Sequence, residues 1–338
     1  MSNIINVAQI GCGYWGPNLL RNLVANKRCN LKTIVEISLE RRDYVKALYP
    51  SIIVTDNIQQ ALDDESIDAL VIATPVTFHY DQSIKALQSG KNILVEKPMA
   101  TTIEEVDQIG ILAEQNNLVA MAGHTFLYNS AVRYVKKLID GGDLGDIRYI
   151  YSQRLNLGRI RSDVDALWNF APHDVSIIQY WLEDLKPVNI SRKGMDYIQN
   201  GVADVVFMNI EYPNRVIANI HVSWLDPHKI RKMTVVGSEK MVVYDDISEN
   251  KVNIYDKGID RMAVLGENMD FDNPSTFSFN HRSGDVIIPK IKWIEPLKTE
   301  IAHFVDCIMN GTSCLADANH AEKVVNILSI NQPSFKSI

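Results

Sequence analysis

The segment Gly11–Gly16 is the first stretch of the sequence whose residue types predict a chemical role. It reads G-x-G-x-x-G, follows a short apolar strand directly and opens a predicted helix. In a βαβ unit the first glycine permits a tight turn, the second lets the backbone approach a pyrophosphate, and helix N–H groups bind the anion. The segment therefore predicts a dinucleotide site that includes Gly11, Gly13, Tyr14, Trp15 and Gly16.

A carboxylate at the end of the second predicted strand indicates which dinucleotide binds. Glu36 stands about 20 positions after the glycines, where an acidic residue is expected. There it can accept hydrogen bonds from both ribose hydroxyls and repel a 2′-phosphate, which favours NAD as the cofactor. Arg41 and Arg42 lie close enough in sequence to bind a 2′-phosphate, so NADP stays open as the alternative.

Two later apolar strands end in polar residues that we expect at the same edge of the sheet. Thr74 and Pro75 end one strand and His79 follows them, whereas Glu96 and Lys97 end the next strand. Ligands of open α/β sheets bind outside the carboxyl ends of the strands. Lys97 is thus a candidate cation beside the cofactor, and a solvated surface lysine is the alternative.

His173 is the best acid/base candidate in the remaining sequence. Pro172 suits the first position of a helix and Asp174 its first turn, which predicts a helix over about 173–182 that starts at this histidine. A histidine can exchange a proton with an alcohol near neutral pH, although a capping or core histidine is the alternative. The sequence has no G-x-S-x-G or HExxH motif and no zinc-like cysteine spacing, so we expect neither a serine nucleophile nor a metal.

The hydrophobic periodicity predicts two domains. Up to residue 123, short apolar strands alternate with helices, which indicates a parallel sheet covered on both faces. Beyond it a period of two predicts antiparallel strands, a loop over 257–293 and two closing helices near 296–309 and 318–329. We therefore expect an α/β protein, with an NAD-binding Rossmann domain over 1–123 and a second, mostly antiparallel domain over 124–338.

Composition excludes several classes of partner. The 34 basic and 41 acidic residues give a net charge of −7 without a basic half, so a nucleic-acid partner is not expected. Four cysteines in 338 residues do not form a disulfide framework, which favours a reducing cytoplasm. No apolar run approaches the ~20 residues of a membrane span, and the N-terminus lacks a signal-peptide core.

The order of these motifs resembles one family over essentially the whole sequence. The glycine segment, Thr74–His79, Glu96–Pro98, Gly123–His124 and His173–Asp174 are similar to the glucose–fructose oxidoreductase, inositol dehydrogenase and rhizopine catabolism (Gfo/Idh/MocA) family. The resemblance implies a second domain with a large open, mostly antiparallel sheet. It also implies hydride transfer between a nicotinamide and a carbohydrate hydroxyl or ketone.

The resemblance also implies roles for single residues. Lys97 corresponds to the lysine that touches the reacting hydroxyl, His173 to the catalytic histidine, and His124 joins the cofactor residues. Many members carry Asp where this sequence has Asn169, and an amide cannot relay a proton. The general base therefore stays open between Lys97 and His173, and Tyr128 is the next candidate.

A narrower resemblance concerns the substrate. The segments 168–174, 224–227, 284–285 and 295–297 look like members that act on nucleotide-linked sugars, such as the 3-dehydrogenases of UDP-N-acetylglucosamine and its uronic acid. Arg159 and Arg161 can pair with a pyrophosphate, and a solvated loop is the alternative. The predicted substrate residues are Lys97, Arg159, Arg161, Asn169 and His173.

Other functions remain open at this stage. A free-sugar or inositol dehydrogenase and a deoxysugar ketoreductase use the same residue types. The sequence does not identify the sugar, the carbon that is oxidised or the direction of the reaction. A cofactor-binding regulator without turnover predicts the loss of Lys97 or His173, and both are present. Because an open sheet exposes a broad face that needs cover, we expect a homodimer or homotetramer through the second domain.

Overall fold

The structure is a computed structural model that describes residues 4–158, 160–162, 164–183, 185–263 and 277–330. Its first sheet is parallel, with the strand order β3-β2-β1-β4-β5-β6. The strands are β1 (Ile5–Ile10), β2 (Cys29–Val35), β3 (Ile53–Thr55), β4 (Ala69–Ile72), β5 (Asn92–Glu96) and β6 (Ala120–Gly123). The intervening helices are α1 (Gly16–Ala25), α2 (Leu39–Leu48), α3 (Gln59–Asp63), α4 (His79–Gln88) and α5 (Ile103–Gln115).

The sequence explains why these elements form. All four residues of β4 are apolar and buried, as expected for a central strand of a parallel sheet with helices on both faces. Helix α5 begins with a capping box, in which Thr102 and Glu105 satisfy each other's backbone N–H groups. The predicted parallel sheet is therefore confirmed.

The second sheet has eight strands in the order β14-β13-β12-β11-β7-β10-β9-β8. They are β7 (Ile147–Leu155), β8 (Asn189–Met195), β9 (Val205–Glu211), β10 (Ile217–Ser223), β11 (Ile230–Gly237), β12 (Met241–Asp245), β13 (Val252–Ala263) and β14 (Phe277–Ile287). The helices of this half of the chain are α6 (Ser130–Asp140), α7 (Ala166–Trp181), α8 (Pro296–Asn310) and α9 (Ala318–Ser329). Neighbouring strands are antiparallel except β7 and β10, so the predicted mostly antiparallel sheet is confirmed.

The prediction of a continuous loop over 257–293 is wrong. Strands β13 and β14 occupy much of this range and pair with each other from Ile254 and Ile287 to Ala263 and Phe277. The stretch is rich in Asn, Ser and Gly, which is untypical of strands. Backbone pairing at the edge of a sheet needs no apolar side chains, so composition alone concealed both strands.

Helix α7 begins earlier than the sequence predicts. It starts at Ala166, and the Oδ1 atom of Asp165 accepts a 2.9 Å hydrogen bond from the Trp168 backbone N–H. This is the geometry of an N-cap. Pro172 consequently lies inside the helix, and His173 lies two turns beyond its start rather than in its first turn.

The described residues group into two compact units. The first combines residues within 1–130, 172–184 and 293–334, and the second covers 131–171 and 185–292. The sequence predicts one boundary after residue 123, whereas the first unit also takes in the part of α7 that contains His173 and the two C-terminal helices. Leu297, Ile301 and Phe304 of α8 pack in one apolar cluster with Leu19 and Leu20 of α1. Helix α8 therefore forms part of the core of the first unit.

No helix within the described ranges is both long and apolar enough to span a membrane.

Candidate active site

The glycine segment forms a tight turn directly after β1. Gly11 has φ +91°, and a Cβ atom there would lie 2.7 Å from the carbonyl oxygen of Ala73, so only glycine fits. A Cβ atom at Gly13 would meet nothing within 4 Å, which leaves open space over the turn. The Nε2 atom of buried Gln9 donates to the carbonyls of Gly11 (2.9 Å) and Gly16 (3.0 Å) and braces the turn from the core side. This cradle fits a pyrophosphate.

The predicted ribose-binding carboxylate lies next to the glycine segment. Glu36 is 8% exposed, and its Oε2 atom accepts a 2.6 Å hydrogen bond from the Cys12 N–H. Its Oε1 atom accepts a 2.9 Å hydrogen bond from the Ser38 N–H. Two backbone donors thus hold the carboxylate at the end of β2, beside the turn that would carry the pyrophosphate.

The two arginines that follow Glu36 have different surroundings. Arg42 donates 2.8 Å hydrogen bonds to the carbonyls of Glu36 and Ile37, and it pairs with Asp56 at 3.4 Å. Arg41 is exposed. The guanidinium of Arg42 is therefore committed to the strand end, and Arg41 is the remaining cation that could approach a 2′-phosphate.

His79 joins the loops that follow β4 and β5. The ring is 2% exposed, with Nε2 2.8 Å from the Thr74 carbonyl oxygen and Nδ1 2.8 Å from the Pro98 carbonyl oxygen. Burial lowers the pKa of His79, so the neutral ring donates through one nitrogen only. Both ring nitrogens face backbone, so the geometry supports a role in holding these loops. The Lys97–Pro98 peptide bond in the second loop is cis.

Glu96 connects the glycine segment with Lys97. Its carboxylate accepts hydrogen bonds from the Trp15 side chain and, at 3.3 Å, from the Lys97 backbone N–H. Desolvation raises the pKa of Glu96 to about 7, and the charge of Lys97 opposes this rise. Glu96 also pairs in register with Gly123, where a Cβ atom would lie 3.1 Å from the Glu96 Cα. The ends of β5 and β6 are therefore in close contact.

A histidine cluster continues from the end of β6. His124 is buried, which lowers its pKa well below the usual range, and its ring meets that of His320 edge-on at 5.4 Å. The Nε2 atom of His320 lies 3.0 Å from the Ser176 hydroxyl of α7. The rings of Phe126 and His173 lie 4.8 Å apart. The segment that follows β6 thus contacts α7 directly through Phe126 and His173, and indirectly through His320 of α9.

The C-terminal helix α8 contributes a buried acid that sequence reasoning missed. Glu300 is fully buried and accepts a 2.8 Å hydrogen bond from the Thr125 hydroxyl. Burial, with a smaller contribution from the charge of Glu96, raises the pKa of Glu300 well above its usual value. Burial therefore favours the protonated form of Glu300, which lies beside the segment that carries His124.

The remaining predicted residues have varied surroundings. Tyr128 is 1% exposed and its hydroxyl donates to the Met121 sulfur over 3.6 Å, which puts this side chain in the core. Asn169 is partly exposed and precedes His173 by four residues on α7. Arg161 is exposed, and its carbonyl accepts a 2.8 Å hydrogen bond from Gln199. Arg159 lies outside the described residues.

Sequence comparison agrees with the fold. The model of the oxidoreductase family GFO_IDH_MocA, described as an NAD-binding Rossmann fold, matches residues 5–124. The model of the GFO/IDH/MocA C-terminal domain matches residues 132–243. The chain belongs to the Gfo/Idh/MocA family. Residues 5–124 are thus the NAD-binding Rossmann domain that the sequence motifs predict.

Individual relatives in the Gfo/Idh/MocA family are distant. An uncharacterised oxidoreductase of Streptococcus pneumoniae is 23% identical over 64% of this chain and 61% of its own length. The UDP-N-acetylglucosamine 3-dehydrogenase of Acidithiobacillus ferrooxidans is 26% identical over 57% of this chain and 59% of its own length. The matched region thus spans about three fifths of each of these curated relatives.

A solved structure of the same fold covers more of the chain. The structure of the UDP-N-acetylglucosamine 3-dehydrogenase GnnA from Acidithiobacillus ferrooxidans superposes with a TM-score of 0.77. The match covers 96% of this chain and 95% of that chain at 21% identity. At this identity the likeness establishes the fold of the chain and not its substrate.

Proposed function

We propose that the protein is an NAD-dependent dehydrogenase that acts on a CH–OH group of a sugar. The observation that carries this proposal is the clustering of Lys97, Glu96 and the His124–Phe126 segment at one sheet edge, with His173 against Phe126. When bound, the nicotinamide supplies the acceptor or donor of the hydride. The chain must then align the sugar carbon with the nicotinamide and accept or donate the proton of the hydroxyl group.

Each residue has a distinct part in this proposal. The Lys97 ammonium binds the hydroxyl oxygen and stabilises negative charge that develops there, and His173 accepts the proton from that oxygen. The Phe126 ring limits the orientations of the His173 imidazole. Asn169 orients a neighbouring group and does not transfer a proton, because an amide has no suitable pKa. The buried Tyr128 hydroxyl is bonded to the Met121 sulfur and has no part in this proposal.

The geometry at the end of β2 supports NAD over NADP. The fixed carboxylate of Glu36 can receive ribose hydroxyls and repels a 2′-phosphate. The guanidinium of Arg42 is already committed to two carbonyls and to Asp56. The other proposed cofactor contacts come from the glycine segment, Thr74, Pro75, Glu96, Lys97 and His124, and His79 positions the loops around them.

We further propose a nucleotide-linked sugar as the substrate. Exposed Arg161 supports it, because a guanidinium can bind a diphosphate through two parallel hydrogen bonds. The resemblance of the segments around residues 168–174 and 224–227 points the same way, and so do the names of the dehydrogenase relative and the solved structure.

A panel of substrates tests the proposal. UDP-N-acetylglucosamine, its uronic acid, free glucose and inositol are each incubated with NAD, and the appearance of NADH is followed. We expect turnover on a UDP-sugar. Arg161→Ala should raise its KM, because loss of one charge-assisted contact costs about 1.5–3 kcal/mol. Lys186→Ala, an exposed cation elsewhere, is the control. Equal activity on free and nucleotide-linked sugars contradicts the diphosphate, and no turnover on any sugar contradicts the dehydrogenase.

We also propose that the chain works as a cytoplasmic homodimer or homotetramer. Tyr149 and Ile217 pair in register on adjacent strands and are 48% and 46% exposed. Phe207 on the next strand is 47% exposed. Phe207 pairs in register with His221, four residues along β10 from Ile217. Exposed apolar side chains on one face of a sheet are typical of a surface that a second copy covers. Light scattering after size-exclusion chromatography measures the assembly, and a monomer at all concentrations contradicts it.

A further inference from the structure

Three potential metal ligands converge at the C-terminal end of α8. His303 and Cys307 stand four residues apart on one face of the helix, and Gly311 ends the helix in the left-handed conformation at φ +64°. The chain then returns and brings Cys314 to the same point. The ligand atoms of these three side chains all lie within 4.8 Å of one another.

The distances suit a small tetrahedral cation. The Cys307 sulfur lies 3.5 Å from the His303 Nε2 atom. Ligands at the usual zinc–sulfur and zinc–nitrogen bond lengths stand roughly 3.5–3.8 Å apart around a tetrahedral ion. Cys307 is buried, whereas His303 and Cys314 are partly exposed, so an ion can enter from the solvent side.

A backbone N–H group fixes the tautomer of His303. The Leu315 N–H donates to His303 Nε2 over 3.1 Å, which puts the imidazole lone pair on the nitrogen that faces Cys307. An ion at this nitrogen replaces that hydrogen bond.

We propose that His303, Cys307 and Cys314 bind one thiophilic divalent cation of the Zn²⁺ class. Two thiolates and one imidazole are ligands that zinc prefers, and two thiolates neutralise its charge. A solvent molecule or a small anion completes the fourth position. The sequence did not predict this site, because the spacing H-x3-C-x6-C matches no common zinc motif and the turn at Gly311 closes it.

The site would fix one border of the Rossmann sheet. The segment after Cys314 runs along the edge strand β6, where the Ala122 N–H donates to the Ala316 carbonyl over 2.8 Å. Asp317 forms an isolated antiparallel bridge with Met121 of the same strand. A cation shared by α8 and Cys314 therefore fastens the end of α8 to the segment that covers β6. The expected role is structural.

Cobalt substitution gives a direct test. Co²⁺ is added to the reduced full-length protein, and absorption is recorded. We expect sulfur-to-cobalt charge-transfer bands that saturate at one equivalent and disappear when Zn²⁺ is added. Zn²⁺ should also raise the apparent Tm in proportion to the logarithm of its concentration above Kd. Cys314→Ser and His303→Gln should weaken binding by about tenfold or more, at the scale of metal-site variants. Cys29→Ser, a cysteine outside the cluster, should not.

A second measurement avoids variants that fail to fold. Iodoacetamide is applied to the wild-type protein with and without Zn²⁺, and mass spectrometry of peptides locates the modified thiols. Protection of Cys307 and Cys314 but not of Cys29 supports the site. Absence of charge-transfer bands, or bands that persist unchanged in Cys314→Ser, overturns it. Ready formation of a Cys307–Cys314 disulfide by glutathione disulfide, without any Co²⁺ or Zn²⁺ binding, also overturns it and shows a redox pair instead.

Discussion

The backbone N–H of Cys12 donates a 2.6 Å hydrogen bond to the Oε2 atom of Glu36. This contact ties the glycine turn after β1 to the end of β2, so the two parts of a dinucleotide site have a fixed relation before any ligand binds. Preorganised groups bind more tightly because less conformational freedom is lost on binding. Glu36 therefore has two functions, as a partner of the ribose in our proposal and as a brace for the turn.

Glu36→Ala should weaken NAD binding more than NADP binding. The change removes the ribose hydrogen bonds and also the repulsion of a 2′-phosphate, and the second effect offsets part of the loss for NADP. Calorimetric titration of both dinucleotides measures the difference. Glu36→Gln retains an acceptor for one backbone N–H group, so it separates the loss of charge from the loss of the brace. Arg41→Ala should leave the Kd of NAD unchanged, and wild-type turnover that is faster with NADP contradicts the assignment.

Lys97→Ala and His173→Ala should each lower kcat by about 10²–10⁴-fold. Both residues act on the reacting hydroxyl in our proposal, so the affinity for NAD should stay close to that of the wild type. Asn169→Ala should lower kcat less, because this residue orients and does not transfer a proton. Steady-state kinetics on the best substrate and circular dichroism of each variant provide the test. Near-wild-type kcat in His173→Ala moves proton transfer to Lys97.

The carboxyl group of Glu96 should make stability depend on pH in an unusual direction. Its pKa is raised from 4.5 to about 7 in the folded protein. Below the unfolded pKa both states hold the proton. Between the unfolded and the folded pKa, the unfolded chain releases its proton before the folded protein does, so the free energy of unfolding falls as the pH rises. The whole loss of stability is present above the folded pKa.

Glu96→Gln removes this titration. Its free energy of unfolding, relative to the wild type, should therefore increase by roughly 3 kcal/mol at most between about pH 5 and pH 8. Urea denaturation across this range measures the change. Glu114→Gln, on the exposed face of α5, should show a constant difference from the wild type. A constant difference for Glu96→Gln as well means that this carboxyl titrates normally.

Asp165 should be important for the start of α7. It caps the helix and also pairs at 3.0 Å with Arg192, whose side chain is only 7% exposed. Asp165→Ala should destabilise the protein by about 3–5 kcal/mol, because it removes the partner of a buried charge. The double variant Asp165→Ala with Arg192→Met should recover part of this loss. Chemical denaturation of the wild type, the single variant and the double variant measures the free energy of unfolding. If Asp165→Ala lowers it by less than ~1 kcal/mol, which is the contribution of a helix cap alone, the ion pair has no role.

The hydrophobic periodicity of the sequence was sufficient to predict both sheets, because each position that faces a core must carry an apolar side chain. The fully apolar β4 and the capping box of α5 are both local signals. The start of α7 is different, since Asp165 is recognisable as a cap only together with Arg192, which lies 27 residues away. Without that partner Pro172 was the stronger local signal for a helix start.

The parts of the site that the sequence did not reveal depend on distant partners. Thr125 and Glu300 are 175 residues apart, and Ser176 and His320 are 144 apart. No feature of the sequence around Gln9 predicts that its side chain donates hydrogen bonds to the carbonyls of Gly11 and Gly16. Motifs near strand ends are visible because the strand itself orients them, whereas contacts made by α7, α8 and α9 exist only after the chain has folded back.

The packing of α8 in the core of the first unit affects folding during translation. Strands β1–β6 leave the ribosome long before Leu297 and Phe304, which share their apolar cluster. At 5–20 residues per second the delay is on the order of ten to thirty seconds. During that time the nascent Rossmann sheet exposes apolar surface that its own chain later covers. The first unit should therefore reach its final fold only after α8 has left the ribosome, and chaperones that hold nascent chains should bind it in this interval.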